Sequence, residues 1–348
     1  QTNDRSASPR HTSSEVQLTV GWGGVPPHPC TLNWKVTTVE FDRRTLLGGF
    51  GLAALLDTPT LVAAGRDTAP KSSFDLGTAS ANVIAMAKIT ATLEPEGFKH
   101  GWYSGVLMGV VPGEAVRELV GVIGMSTQRL RAVPEQGGYQ LLQKECGFFT
   151  DLATGEVLDR WTNPYINETV EPFHIANPAV NRWILPTVKE ERFYDRADGK
   201  DPPERPFILP WQRAGDRLLL EQRTHFWANN PLDPSVWKRE SSGARIQVSD
   251  CMSYNLRFSE LADPKRSSVD YDGHWVHVRP WQPWMLLGSM SGHCLYSAMT
   301  GCAMNESAIP EKILRIVKER LPDFLVPPNE VRKSEPSMVR YMRERKPK

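Results

Sequence analysis

Alternating apolar and polar residues dominate the chain from about residue 100 onward. Between Arg217 and Trp227, leucines interleave with charged residues, so successive side chains point to opposite sides of a predicted strand. The same two-residue period recurs in the segments 102–111, 125–132, 139–146, 252–258, 274–278 and 284–296. So many strands in one continuous segment, with few helices, predict a mostly β protein: a single antiparallel lipocalin-like β-barrel, or two packed sheets.

Two helices flank the predicted sheet. Ser80 is expected to cap the first helix, and Glu94-Pro95 ends it. The apolar face of this helix consists of Val83, Met86, Ile89 and Leu93. Pro310 suits the first turn of the second helix because proline has no N–H to pair there, and Pro322 ends that helix.

Tight turns divide the segment 148–183 into a β-meander. The carboxylate of Asp151 can accept hydrogen bonds from nearby backbone N–H groups, and Gly155 can adopt positive φ, so the chain is predicted to reverse between them. Asn-Pro pairs punctuate the strands that follow. The charged, proline-rich segment 193–206 is expected to be an exposed loop.

An export signal is predicted before the β-rich region. Arg43-Arg44 precedes an apolar run without charges from Thr45 to Leu56, which is too short to span a bilayer, and Ala64 offers a small residue for cleavage. A signal of this kind uses the twin-arginine export machinery and leaves a periplasmic or secreted protein with no stable membrane anchor. A buried helix is the alternative interpretation.

This signal divides the chain into four parts. Residues 1–38 form an upstream or disordered segment, 39–64 the signal peptide, 65–330 a single β-barrel domain, and 331–348 a basic tail expected to be solvated. A net charge of +1 over 348 residues gives no electrostatic footprint for nucleic acid. The cysteines beyond residue 64 lack CxxC spacing, so disulfides and buried thiols both stay open.

Four phrases in the chain carry a resemblance to a known family. They are FFTDLATGEVLDRWTNP, LPWQRAGDRLLLEQR, LLGSMSGHCLY and LPDFLVPP, within a region from about Phe74 to Pro328. In this order they resemble the domain-of-unknown-function family 1838, whose bacterial and fungal members often carry an export signal. The resemblance implies a compartment but no reaction, so the chemistry must be sought in the residues.

The strand face that carries Glu221, Arg223 and His225 is the first candidate for acid/base chemistry. A carboxylate, a guanidinium and an imidazole on one side of a strand can supply a proton donor, an oxyanion partner and an orienting group along a cavity wall. His293 and Tyr254 are expected to meet them from other strands. The competing interpretation is a solvated outer face whose charges compensate one another.

Tryptophans are the candidates for a ligand-binding wall. Those assigned to it are Trp161, Trp227, Trp275 and Trp284. In a barrel they can enclose a small aromatic or apolar molecule, or they are simply large core residues. His274 and His277 have the spacing of a helical metal site, but in a strand residues three apart face opposite sides, so no metal or cofactor is predicted.

Together these features predict an exported, cofactor-independent lyase or isomerase that acts by proton transfer on an aromatic or polycyclic compound. A non-catalytic carrier of an apolar small ligand is the first alternative, and a His-dependent metalloenzyme is the second. The prediction requires that Glu221, Arg223 and His225 look into an enclosed, tryptophan-lined hollow.

Overall fold

The computed structural model of the protein describes residues 74–188, 204–335 and 337–348. The predicted export signal and most of the predicted loop at 193–206 therefore lie outside the described residues. Within these ranges, no helix has the length and apolar composition that crossing a membrane requires.

Most of the described chain forms antiparallel strands. The strands are β1 (Lys99–Val110), β2 (Arg117–Val133), β3 (Gly138–Thr150), β4 (Trp161–Asn163), β5 (Glu168–Val170), β6 (Ile175–Ile184), β7 (Thr187–Val188), β8 (Arg205–Pro206), β9 (Gln212–Ala214), β10 (Arg217–Asn229), β11 (Arg245–Arg257), β12 (Tyr271–Arg279) and β13 (His293–Ala303). The α-helices are α1 (Ala79–Thr90), α2 (Phe258–Ala262), α3 (Glu311–Arg320) and α4 (Ser337–Glu344).

Nine strands form one curled sheet in the order β6-β3-β2-β1-β13-β12-β11-β10-β9, and neighbouring strands are antiparallel throughout. The prediction of a mostly β, lipocalin-like fold is confirmed. Between the described residues of β6 and β9 the sheet remains open, so it is a half-barrel with an inner and an outer face. The predicted reversal after β3 is also present, because Asp151 accepts from the N–H of Thr154 at 2.8 Å and Gly155 has φ 69°.

Helix α1 closes one end of the curled sheet. Thr78, and not the predicted Ser80, caps the helix: its hydroxyl accepts from the N–H of Ala81 at 3.3 Å. The apolar residues of α1 share one buried cluster with Ile184 of β6 and Leu218 of β10. Since β6 and β10 lie near opposite ends of the strand order, this shared cluster requires the sheet to curve around the helix.

Buried Lys99 of β1 hydrogen-bonds to α1 at the same end of the sheet. Its Nζ donates to the carbonyl oxygens of Ile89 at 3.2 Å and Val269 at 2.7 Å, and lies 3.5 Å from the Asp270 carboxylate. Ile89 belongs to the last turn of α1, where carbonyl groups lack helical partners and a positive charge is favourable. A fully enclosed ammonium group is tolerated here because its donors are paired.

An aromatic cluster fills the opposite end of the curled sheet. Trp281 and Trp284 enter it from the segment after β12, Trp237 from the β10–β11 connection, and Tyr341 from α4. The segment 284–296 was predicted as one strand, and that prediction is wrong over its first half. Leu286 has φ 58°, which breaks the extended backbone, and β13 begins only at residue 293.

Helix α4 corrects the prediction of a solvated basic tail. Met338 and Tyr341 are buried on one side of the helix, and Arg340 lies 4.3 Å from the ring centre of Phe173. Arg340 and, through its ion pair with Glu171, Arg345 therefore lie against the body of the protein, whereas Arg343 and Lys346 stay exposed. Charge alone predicted a tail, but the apolar residues spaced one turn apart favour a docked amphipathic helix.

Helix α3 covers one part of the outer face of the sheet. Its buried residues are Ile313, Ile316 and Val317. They pack with Met125 of β2 and Phe148 of β3. On the outer side of β10 and β13, by contrast, Trp227 is 45% exposed and Met299 65% exposed. The outer face therefore has a covered part and a part that meets solvent.

The cysteines of the described residues are free thiols, which settles the alternative left by their spacing. They are Cys146, Cys251, Cys294 and Cys302. Burial raises the pKa of Cys146 and of Cys294 to about 12 in each case. These two side chains therefore act as small apolar residues and not as nucleophiles.

His174 links the meander to β3 without carrying a charge. Its Nδ1 accepts from the N–H of Phe149 at 3.2 Å, so Nε2 carries the proton and donates to the carbonyl oxygen of Leu158 at 3.1 Å. Burial, helped by the positive charge of Arg320, lowers the pKa of His174 to about 4.

We expect an NMR titration to find the His174 imidazole neutral down to about pH 4. The unfolded chain takes up this proton near its ordinary pKa of about 6.5, so the free energy of unfolding should fall as the pH drops from about 6.5 to about 4. In His174→Gln, whose amide can make both hydrogen bonds, this part of the pH dependence should be missing. A His174 midpoint near its ordinary value would contradict the assignment.

Candidate functional site

The strand face that carries Glu221, Arg223 and His225 points outward into solvent. Glu221 and Arg223 pair with each other at 2.7 Å while their side chains are 45% and 63% exposed, and His225 is exposed as well. The expectation that these residues line a hollow is therefore wrong. The inner face of β10 is the alternate one, which begins with buried Leu218 and Leu220.

The remaining predicted site residues are divided between the two faces. Tyr254 is buried on the inner face, where its hydroxyl donates to Oε1 of Gln222 at 3.0 Å, and burial raises its pKa to about 12. His293 is half-buried on the outer face at the start of β13. Trp227 is also on the outer face, with the guanidinium of Arg245 4.4 Å from its ring centre. The structure therefore does not bring this predicted set together.

The other predicted tryptophans lie inside the half-barrel. Trp161 and Trp284 meet in the aromatic cluster with ring centres 5.5 Å apart, and Trp284 is only 3% exposed, as expected of a core residue. Trp275 lies instead on the inner face of β12, with its indole against titratable side chains.

Between the two apolar ends, the inner face carries polar residues that we call the polar band. Its members are Glu145, Arg182, Gln222, Asp250 and His277. In the middle of β11 and β12, residues on both faces retain solvent access. Inner positions of a filled barrel are buried, whereas these are not, so the concave side of the sheet is open to solvent at the polar band, and we call this open side the hollow.

Asp250, Trp275 and His277 form a hydrogen-bonded group within the polar band. Asp250 of β11 pairs in register with His277 of β12, so the two side chains share the inner face. One carboxylate oxygen of Asp250 accepts from Nε1 of Trp275 at 2.5 Å and from Nδ1 of His277 at 3.1 Å. The Asp250 side chain is 43% exposed and that of His277 16%, so the imidazole is largely enclosed.

These contacts determine where the imidazole carries its proton. An ionised carboxylate only accepts hydrogen bonds, so Nδ1 of His277 must donate, and the neutral ring keeps its lone pair on Nε2. In the described part of the chain, no residue hydrogen-bonds to Nε2. Burial alone would raise the pKa of Asp250, but the donors of His277 and Trp275 and the charge of Arg182 lower it below its ordinary value.

Aromatic rings enclose the imidazole. Trp275 lies 5.4 Å and Tyr296 5.5 Å from His277 between ring centres. Burial raises the pKa of Tyr296, so its phenol stays neutral, and Gln282 donates a hydrogen bond to the phenol oxygen. The Tyr296 side chain is only 1% exposed, so it supports the imidazole from behind.

Tyr103 completes this wall from β1. Its ring centre lies 5.4 Å from that of Trp275. The Tyr103 side chain rests directly on β2 and β3 at Gly124 and Gly147, where a Cβ atom would lie 2.1 Å from it. Only glycine lets the phenol approach the sheet this closely, so these two positions belong to the architecture of the site.

Charges of both signs face the hollow. Glu145 of β3 accepts from the amide of Asn177 at 3.1 Å. Arg182 is exposed on β6, and its charge lowers the pKa of Asp250 from across the curled sheet. A molecule in the hollow would thus meet the open imidazole nitrogen of His277, the half-buried ring of Tyr103 and the guanidinium of Arg182.

Metal-ligating groups do not gather in this region. Within residues 74–188, 204–335 and 337–348, no group of three or more His, Cys, Asp or Glu side chains is placed to hold a metal ion. His274 and His277 face opposite sides of β12, as their spacing predicted: a ring nitrogen of His274 lies 3.1 Å from the Ser297 hydroxyl on the outer face.

The sequence offered one signal for Asp250 that pattern analysis missed. The predicted strand began at about residue 252, which left Asp250 in a connection, whereas β11 begins at Arg245. Aspartate is depleted in strands, so a carboxylate within one is itself a reason to look for a partner. In the sequence that partner, His277, shows only the spacing of a metal-ligand pair with His274.

Comparison with known families places these elements in context. A family model described as a protein of unknown function (DUF1838) matches residues 99–346, which include all of β1 to β13 and α4. The polar band and the aromatic wall therefore lie inside the matched region. Comparison with curated proteins gives no match.

Removing the imidazole should raise the pKa of Asp250. His277→Phe takes away one of the two side-chain donors that hold the carboxylate ionised, so its proton should bind at higher pH than in the wild type. A ¹³C NMR titration of the aspartate carboxyl carbons measures this shift. Because the folded-state pKa is lowered in the wild type, its stabilising effect is present at neutral pH and is lost as the pH falls through that pKa.

The matched control is His274→Phe, on the outer face of the same strand, which should leave the Asp250 titration unchanged. Equal titration of Asp250 in the wild type and in His277→Phe would contradict the proposed hydrogen bond.

Proposed function

The chain belongs to the DUF1838 family, and on that premise we propose that it is a cofactor-independent lyase or isomerase that acts by acid/base chemistry on a small aromatic compound. His277 is the catalytic base, and Asp250 is the residue that positions it. The observation that carries the proposal is the Asp250 carboxylate, which holds the imidazole proton on Nδ1 and leaves Nε2 open.

The surroundings of Nε2 support an aromatic substrate. Trp275 and Tyr103 provide flat apolar surface beside the imidazole, and a ring can pack against them in offset or edge-to-face arrangements. Tyr296, whose phenol stays neutral because it is buried, supports the imidazole from behind and is not itself reached by solvent. A positioned base typically contributes a rate factor of about 10² to 10⁴.

A non-catalytic carrier is the second candidate function. It is favoured by the apolar clusters on both sides of the polar band, which would accommodate an apolar ligand without chemistry. In a carrier, loss of the His277 imidazole would alter affinity alone.

Elimination of 5-nitrobenzisoxazole is a suitable test because the reaction needs only a base beside an aromatic ring. Nε2 of His277 takes the C3 proton, the N–O bond breaks, and the electron pair leaves on the phenolate oxygen as the nitrile forms. We expect wild-type protein to accelerate the reaction over buffer and His277→Ala to lose at least about 10²-fold in kcat. Absorbance of the released phenolate measures the rate.

His225→Ala is the control, because His225 lies on the outer face and should be dispensable. Full activity in His277→Ala would refute the assignment of the base. Retained binding of the anilinonaphthalene dye ANS, with no turnover in any variant, would favour the carrier.

We also propose that the protein is exported, by the twin-arginine machinery, to the periplasm or the medium. The support is the sequence order of Arg43-Arg44, the apolar run to Leu56 and the small residue Ala64, all outside the described residues. The twin-arginine machinery transports proteins that are already folded. This suits the curled sheet, because its central strand pair, β1 with β13, joins residues far apart in the chain.

N-terminal sequencing of the exported protein should begin at Gly65. Replacing both arginines of the pair by lysine (Arg43→Lys with Arg44→Lys) keeps the charge but removes the motif that the transporter reads, so the protein should accumulate in the cytoplasm. Unchanged export of this double variant, or an exported chain that still contains residue 60, would contradict the proposal.

A further inference from the structure

A second concave region lies on the outer face of the sheet. Cross-strand pairing places Trp102 opposite Gly301, Gly301 opposite Asp272, and Asp272 opposite Asn255. These residues therefore form one lateral row over β1, β13, β12 and β11, on the side away from His277. They line a half-open crevice of about 380 Å³, which we call the outer crevice.

The missing side chain of Gly301 creates the depth of the outer crevice. A Cβ atom at this position would lie 2.7 Å from the indole of Trp102. Trp102 therefore lies close against the strand and offers part of its half-buried indole as one wall. The opposite wall carries Asp272 and Asn255, so an apolar surface faces polar groups across the row.

Several polar side chains of the outer crevice have no partner of their own. In the described chain, no hydrogen bond or ion pair engages the side chains of Arg217, Asn255 or Asp272. Arg217 also stands directly across from Arg257, a like-charge pair that costs stability. The carboxylate of Asp216 lies 3.6 Å from the guanidinium of Arg257 and compensates only that charge. The guanidinium of Arg217 therefore stays unpaired at the rim of the outer crevice.

We propose that the outer crevice binds a neutral polyhydroxylated molecule of the sugar class. A sugar hydroxyl both donates and accepts hydrogen bonds. The hydroxyls of one sugar can therefore donate to the carboxylate of Asp272, pair with the amide of Asn255 and accept from the guanidinium of Arg217. The mixture of carboxylates and guanidinium groups disfavours a simple anion or cation. The indole matches the C–H face of a sugar ring, and the volume lies within the range of small-ligand sites.

Titration of ¹⁵N-labelled protein with glucose, galactose, mannose and N-acetylglucosamine tests this site. We expect at least one sugar to give saturable shifts of the Trp102 indole N–H and the Asn255 amide. Asp272→Ala and Arg217→Ala should each weaken that sugar by about tenfold, because each loses a charged hydrogen-bond partner. Both positions are exposed, so the rest of the spectrum should stay that of the wild type.

Glu114→Ala, an exposed carboxylate outside the outer crevice, should bind the sugar like the wild type, and so should His277→Ala. Four results would overturn the proposal: no saturable shift with any sugar, sugar affinity unchanged in Asp272→Ala, sugar binding lost in His277→Ala, or saturation at these signals by phosphate or tetramethylammonium alone. The outer crevice stands apart from the proposed reaction, so either proposal can fail without the other.

Discussion

Curvature of one antiparallel sheet around α1 is the constraint on which the other features depend. Once the sheet curls, alternate residues of each strand must face either the hollow or the surroundings, and direct cross-strand partners share a face. That rule puts Asp250, His277 and Tyr296 in one row inside. It puts Trp102 and Gly301 in another row outside.

Burial determines where apolar and polar side chains lie on the inner face of the sheet. Apolar side chains fill the end near α1 and the end near α4, where burial stabilises the fold. The polar band lies between them, where solvent still reaches the sheet. A carboxylate is tolerated there because two donors pair with it, and the same pairing orients the imidazole. Stability and chemistry therefore depend on the same contacts at Asp250.

From the sequence, the positions of the strands and helices were predicted better than which face of each strand points inward. The period of β10 was correct, but Leu219 alternates with Leu218 and Leu220, so apolar residues occur on both sides of the strand. Only packing against α1 decides that Leu218 and Leu220 face inward. The charged face with Glu221 consequently lies in solvent, and the predicted proton-transfer group is replaced by one on neighbouring strands.

Cross-strand partners explain the other errors. Asp250 and His277 are 27 residues apart, and no local pattern pairs them before the register of β11 and β12 is known. Likewise, α4 docks through Tyr341 on a Trp237 that belongs to a different part of the chain. Local signals such as the Asp151 turn and the Pro310 start of α3 were predictable because their causes lie within a few residues.

The tautomer of His277 decides whether Asp250 orients the imidazole as a base. Two-bond ¹H–¹⁵N correlation of the imidazole at neutral pH distinguishes a protonated from an unprotonated ring nitrogen. For the neutral form of the ring we expect the proton on Nδ1, hydrogen-bonded to Asp250, and an unprotonated Nε2. A neutral ring with the proton on Nε2 would mean that Asp250 does not hold the imidazole, and the proposed base would lose its support.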